Sequence, residues 1–201
     1  SQIKSFLSKS SPTLLDIGCG SGTFLDVCKQ NGWQVDGVDP SPSVSKSILE
    51  NYNINIHQGD FNNIKFNKTF DVITLWGVLE HMSDPISTIK KAKELLNENG
   101  LIIFEVPSAD CFMSEYLKKY NFSPTRYIES GRHNIFFSKE IISQIVDKFK
   151  LKIEYIESNG LDIQTILLEQ FEDNITEKII NIQDTLNDLL LGDHYRVFLR
   201  K

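Results

Sequence analysis

Three short stretches of this chain carry residue types suited to a ligand that is part anion, part diol and part heterocyclic base. In Leu14-Leu-Asp16-Ile-Gly18-Cys19-Gly20-Ser-Gly22, alternating glycines close an apolar run and open a helical one. Glycine serves where the backbone turns with positive φ and where a ligand touches the main chain. The helix that follows offers unpaired N–H donors to an anionic group such as a carboxylate. The spacing is G-x-G-x-G, and Thr23 stands where a dinucleotide fingerprint has its third glycine. Asp39 ends the second apolar run, 23 residues after Asp16. A carboxylate there can accept both hydroxyls of a ribose, or it can simply cap the next helix. Gly59-Asp60-Phe61 follows the third run. Its carboxylate can accept from an adenine amino group while the ring packs on the base, although Gly and Asp also make ordinary turns.

Two histidines are candidates for proton transfer. His81 follows the fourth apolar run in Val78-Leu-Glu80-His81, and His133 lies in Gly131-Arg-His-Asn-Ile-Phe-Phe-Ser138. Imidazole titrates near neutrality, which suits removal of a proton from a hydroxyl or amine acceptor. Either ring can instead do no more than fix its loop. Arg126, Tyr127 and Arg132 share the second histidine's segment and suit an acidic or phosphorylated substrate, with plain surface charge as the other reading. His57 and His194 receive no role. Cys19, Cys28 and Cys111 are an odd number without metal-ligand spacing, as expected of reduced thiols in a cytoplasmic protein.

Those residues need a scaffold that puts the ends of several strands side by side. β-branched runs at Thr13–Ile17, Trp33–Val38, Ile54–His57, Phe70–Leu75 and Leu101–Val106 read as strands. Helical spacing separates most of them: Gly22 to Asn31, a helix opening at Ser41-Pro42, and one opening near Asp84-Pro85 and running to Asn97. Strand and helix alternating in this order predict right-handed crossovers and a doubly wound parallel sheet, with ligands beyond the carboxyl ends of the strands. Ser138 opens another helix to about Phe149, and Leu151–Tyr155 and Tyr195–Leu199 read as further strands. Between these two, Asn174-Ile-Thr-Glu177 forms a capping box ahead of an amphipathic helix through Ile175, Ile179, Ile182, Leu186 and Leu189.

The chain has 201 residues, enough for one domain, here read as 1–201 with cap segments at 107–137 and 156–194. A net charge of −6 argues against an electrostatic grip on nucleic acid. No apolar run approaches the roughly 18 residues of a membrane span, and the N-terminus lacks the apolar core of a signal peptide. The first residue is Ser, not Met, which points to processing or a fragment. Nothing in the sequence sets an oligomeric state.

The three loops, in order at the ends of strands one, two and three, resemble those of the class I S-adenosylmethionine-dependent methyltransferases. The resemblance runs from about Leu14 to Val106 and more loosely to Lys201. Asp16–Gly22 is similar to the family's first motif, Asp39 to its ribose acid, and Asp60-Phe61 to its adenine site. Phe70–Pro85, with its Val-Leu-Glu-His stretch, resembles the ubiquinone-pathway O-methyltransferases, and so does His133-x-x-Phe-Phe-Ser. This implies a Rossmann-like, mostly parallel seven-stranded sheet whose last strand is antiparallel, with helical cap insertions. It implies S-adenosylmethionine as cofactor, leaving as S-adenosylhomocysteine, and a small-molecule acceptor methylated on oxygen ahead of nitrogen or carbon.

The cofactor-binding set is then Asp16, Gly18, Cys19, Gly20, Gly22, Asp39, Pro40, Asp60, Phe61, Leu75 and Trp76, with His81 and His133 as catalytic candidates. Trp76 suits a sulfonium neighbour and equally a packed core. In the quinone enzymes an acidic residue three before the Glu completes a divalent-metal site. Gly77 holds that position here, so no metal is expected and Glu80 reads as structural. Few residues precede the first strand, so either the chain is trimmed there or a substrate lid is built from residues 107–137 and 161–191. The rival readings are a methyltransferase-like module that binds cofactor or a partner without turnover, and an NAD-dependent oxidoreductase. The glycine spacing and Asp60-Phe61 disfavour the latter.

Overall fold

A computed structural model describes residues 2–120, 134–160 and 176–201. Along the chain run α1 (Gln2–Ser5), β1 (Thr13–Ile17), α2 (Thr23–Gln30), β2 (Gln34–Asp39), α3 (Pro42–Tyr52), β3 (His57–Gln58) and β4 (Phe70–Trp76). Then come α4 (Pro85–Leu95), β5 (Leu96–Pro107), α5 (Phe112–Lys119), α6 (Lys139–Phe149), β6 (Lys152–Asn159), α7 (Thr176–Asp188) and β7 (His194–Arg200). Local chemistry explains several helix starts. Ser41 caps α3 through Val44 N with Pro42 behind it, Asp84 caps α4 through Ser87 N, and Ser138 caps α6 through Ile141 N. Helix α2 begins differently, on Gly22 in the left-handed region with no capping side chain.

The strands form one seven-stranded sheet in the order β3-β2-β1-β4-β5-β7-β6. Every neighbouring pair is parallel except the two made by β7. The chain leaves β1 towards β2 and β3, then returns to β4 on the other side of β1. That reversal is the topological switch point, where the two connections diverge and leave a crevice. Alternate residues of the central strands supply two cores, one on each face. Leu15, Ile17, Ile73, Leu75, Ile102 and Phe104 pack with Ile89, Ala92, Ile142 and Ile145 of α4 and α6. Leu14, Val72, Leu101 and Ile103 pack with Ile3, Leu25, Cys28 and Ile48 from α1, α2 and α3.

The seven strands, the antiparallel one included, match the expectation, but several boundaries move. The helix expected to reach Asn97 stops at Leu95, because Leu96 joins β5 opposite Phe70. Strand β6 runs on to Asn159 because β7 supplies a hydrogen-bonding partner along its whole length. At the sheet edge β3 shrinks to two residues, pairing only with Val38 and Asp39. The amphipathic helix is present as α7, while its capping residue Asn174 lies outside the described residues. The 107–137 cap contains α5, opened by Cys111, whose Sγ accepts from Ser114 N at 3.4 Å. Among the described residues no helix is long and apolar enough to cross a membrane.

At the amino end of the sheet Asp71 ties three segments together. Its carboxylate accepts from Lys9 Nζ at 2.6 Å, Thr13 N at 2.9 Å and Asn97 Nδ2 at 2.7 Å. Burial alone would raise its pKa, but those donors outweigh it and hold the group at about 2. A carboxyl depressed in the folded state stabilises above its unfolded pKa, and that contribution is lost as pH falls. Asp71→Asn should therefore cost roughly 1–2 kcal/mol at pH 7. It should also flatten the acid limb of stability between pH 4 and pH 2, as read by urea unfolding at each pH. An unchanged acid limb would contradict this account.

Candidate functional site

The glycine loop rides over the end of β2. Gly18 N donates to Val38 O at 2.7 Å and Cys19 N to the same oxygen at 3.2 Å. Asp39 holds the next turn: its Oδ2 accepts from Gly20 N at 3.2 Å and its Oδ1 from Ser41 N at 2.9 Å. Gly18 and Gly20 both sit at positive φ, at 69° and 50°, for different reasons. A Cβ on Gly18 would come within 2.6 Å of Val78 Cγ2, so packing excludes one. Among the described residues, a Cβ on Gly20 would meet nothing nearer than Gly18 O at 3.9 Å. The middle of the loop thus presents bare backbone to open space.

Beneath that loop lies Asp16, only 2% exposed. Thr74, its register partner on β4, donates Oγ1 to Asp16 Oδ1 at 2.6 Å. Burial pushes the Asp16 pKa up to about 7, against the pull of the Thr74 hydrogen bond and with the charge of Asp39 adding. Such a carboxyl is short of positive charge, and a cation placed beside it would restore its ionised form. Burial also pushes the Cys19 thiol up to about 12, with Asp16 adding, so this sulfur stays protonated and is a poor nucleophile.

Two cavities flank the loop and share Gly18. One, of about 670 Å³, is walled by Asp16, Cys19, Gly20, Phe24 and Trp76. The other, of about 480 Å³, is walled by Pro40, Asp60, Phe61, Val78 and His81. Ten of the eleven expected cofactor residues either border these cavities or, like Asp39 and Gly22, shape the loop between them. Two carry altered roles. Leu75 is wholly buried in the core and borders neither cavity. Phe61 contributes to a cavity wall, but its ring is 1% exposed and packs in the core. Lys91 Nζ stands 4.7 Å from that ring's centroid. A base would therefore meet Asp60 and the backbone here more than a free aromatic face.

Trp76 borders the larger cavity with its indole between the edge of Phe24 and the guanidinium of Arg196, whose centres are each 5.4 Å away. Its Nε1 is buried with no hydrogen-bond partner among the described residues. His81 is half-exposed in a single 3₁₀ turn, Leu79–His81, and borders the smaller cavity alongside Asp60. The structure thus joins it to the Asp60 side of the loop rather than the Asp16 side. His133, Arg126, Tyr127 and Arg132 lie outside the described residues. No group of three metal-ligating side chains comes together among the described residues.

Thr74, Phe24 and Arg196 were not singled out by sequence reasoning. Thr74 had a signal, being the lone hydroxyl in a buried apolar strand. Arg196 had none, because its partners are 39 and 91 residues away.

Comparison with known proteins adds four findings. A family model described as a methyltransferase domain matches residues 1–156. A ubiquinone biosynthesis O-methyltransferase of Haemophilus ducreyi is 33% identical over 100 residues, 44% of this chain and 42% of that protein. The match thus spans less than half of that relative's length. A solved S-adenosylmethionine-dependent methyltransferase from Archaeoglobus fulgidus superposes with a TM-score of 0.66 at 21% identity, covering 100% of this chain and 90% of that one. Another, from Mesorhizobium loti, gives 0.68 at 15% identity, covering 100% and 96%. At such identities these two superpositions carry the fold alone.

The raised Asp16 pKa has a stability consequence. Protonated Asp16 is favoured in the folded state, so its contribution is present at low pH and is lost as pH rises towards about 7. Asp16→Asn escapes that loss. Its stability relative to the parent should rise by roughly 1–3 kcal/mol between pH 5 and pH 8 in urea unfolding. A difference that stays constant across that range would show that Asp16 is ionised throughout.

Proposed function

The chain belongs to the methyltransferase-domain family, and on that premise we propose that it moves a methyl group from S-adenosylmethionine to a small-molecule acceptor. The observation that carries this reading is the buried, cation-seeking Asp16 opening on a cavity beside the bare backbone of Gly20. A zwitterionic amino-acid arm fits that arrangement. Its ammonium would meet Asp16, and its carboxylate would face the uncapped first turn of α2. Asp39 has a lone pair left on each oxygen beyond those given to Gly20 N and Ser41 N, enough for a vicinal diol. Asp60 and Pro40 border the smaller cavity, where a nucleobase would lie.

When bound, S-adenosylmethionine supplies a methyl carbon on a positively charged sulfur. The chain's own residues then have to bring an acceptor lone pair in line with that carbon and keep it there, and such positioning accounts for a large share of rate enhancement. We take oxygen as the acceptor atom, in keeping with the Haemophilus relative's name. A hydroxyl acceptor must lose its proton, and His81, on the turn that follows β4, is the candidate to receive it. The described residues fit this cofactor.

Saturating S-adenosylhomocysteine, at 100 times its dissociation constant, should stabilise the chain by about 2.7 kcal/mol. The unfolding midpoint should rise by roughly 2–4 °C. NAD should give no shift. Asp39→Ala should abolish the effect, with Asp60→Asn as a second, milder variant should the first fail to fold. No shift with saturating S-adenosylhomocysteine would overturn the reading. His81→Ala should keep the thermal shift and lower methyl transfer at least tenfold, whereas an unchanged rate would remove His81 from the chemistry.

A further inference from the structure

Strand β7 places Arg196 opposite Glu105 on β5 and opposite Glu157 on β6. One guanidinium thus lies between two carboxylates in a row across three strands. Nε and Nη2 donate to Glu105 Oε2 at 3.0 and 2.6 Å, and Nη1 donates to Glu157 Oε1 at 2.8 Å. Both acids are held in place. Asn159 Nδ2 donates to Glu105 Oε2 at 3.2 Å, and the Tyr155 hydroxyl donates to Glu157 Oε2 at 2.9 Å. A guanidinium carries five N–H groups. Three are spent here, so among the described residues two remain to meet a ligand.

Arg196 is also a shared wall. It borders the 670 Å³ cavity with Asp16 and Trp76, and a further cavity of about 610 Å³ with Glu105, Asn159, Asp184, Asp193 and His194. This further cavity lies at the carboxyl ends of β5 and β6, beside α7. It is therefore next to the place where the methyl group would be held. Its charge has a clear sign. Glu105 and Glu157 together outweigh Arg196, leaving one negative charge, and Asp184 and Asp193 add two more. Against these stands His194, 3.2 Å from Asp193.

We propose that this cavity is the acceptor site, and that Arg196 with its two glutamates sets its charge preference. The acceptor is a hydroxyl-bearing molecule that is neutral or carries an ammonium group, and carboxylates and phosphates are disfavoured. The two spare N–H groups of Arg196 are the donors for an acceptor oxygen, while the flanking carboxylates cancel the attraction that a bare guanidinium would exert on an anion. The proposal rests on the methyltransferase reading above and names its acceptor class.

The test uses three probes with the same reacting diol and different charge: catechol, dopamine and 3,4-dihydroxybenzoate. Each is offered to the whole chain with S-adenosylmethionine, and release of S-adenosylhomocysteine is followed. The expected kcat/KM for the carboxylate is at least tenfold below that of the other two. Glu157→Gln, or Glu105→Gln should the first fail to fold, removes one negative charge, leaves Arg196 balanced by a single carboxylate and should narrow that gap at least threefold. A residue that only supports the fold would lower all three rates together and leave the gap in place. Arg196→Met should raise KM for catechol at least tenfold.

Equal turnover of the carboxylate would overturn the proposal, as would a gap that neither glutamine variant changes. It falls too if none of the probes is methylated by protein that shows the thermal shift. Loss of the thermal shift in the parent chain would instead overturn the methyltransferase reading beneath it.

Discussion

A carboxyl group almost wholly removed from water sits at the point where the sheet reverses direction. Asp16 is tolerable there because Thr74 lies opposite it in the β1–β4 register and donates a 2.6 Å hydrogen bond. Burying a polar group without such a partner costs several kcal/mol in apolar surroundings. That bond ties the two central strands together at their carboxyl ends, where the connections to α2 and to the Leu79–His81 turn diverge. The crevice between those connections is the floor of the site. One hydrogen bond leaves the carboxyl still raised to about 7, so the arrangement is stable as it stands and responsive to a cation.

Around that floor, most side chains near the loop hold it in shape. Asp39 spends an oxygen on Gly20 N and another on Ser41 N, which links the glycine loop to the start of α3. Val78 occupies the space that a side chain at Gly18 would need, so the turn after β4 is packed against the loop after β1. Gly20 is left bare by both. The exposed backbone is thus a result of its neighbours being fully engaged, which is the rigidity a binding loop requires.

The antiparallel strand does separate work. Inserting β7 between β5 and β6 brings a cationic residue late in the chain against Glu105 and Glu157. All three side chains emerge on one face at matched register, so the ion pairs need no bending of the backbone. The same guanidinium lies 5.4 Å from the Trp76 ring and reaches the walls of two cavities. A solvated arginine on a loop would be free to follow an anionic ligand. One gripped by two glutamates is held as a donor with its charge cancelled.

Much of this molecule was legible in order and type. Apolar runs ending in Gly18–Gly22, Asp39 and Asp60 announced strands whose carboxyl ends carry the site, because alternating burial and helix caps are local properties. Boundaries such as Leu95–Leu96 were not legible, since pairing with Phe70 decided them. Nor was the division of labour among the site residues. Leu75 and Phe61 have the types and spacing of cavity walls, yet their side chains were claimed by the core. Whether a side chain faces core or cavity depends on what packs over it, which no neighbour in sequence determines. By itself, then, the sequence determined the strand order of the chemistry, the glycine turn and the family. Only the tertiary structure decided that Thr74 would neighbour Asp16, that His81 would side with Asp60, and that Arg196 would be clasped between Glu105 and Glu157. Those pairings span 39 to 91 residues or join different strands, and strand register fixes them where local propensity cannot.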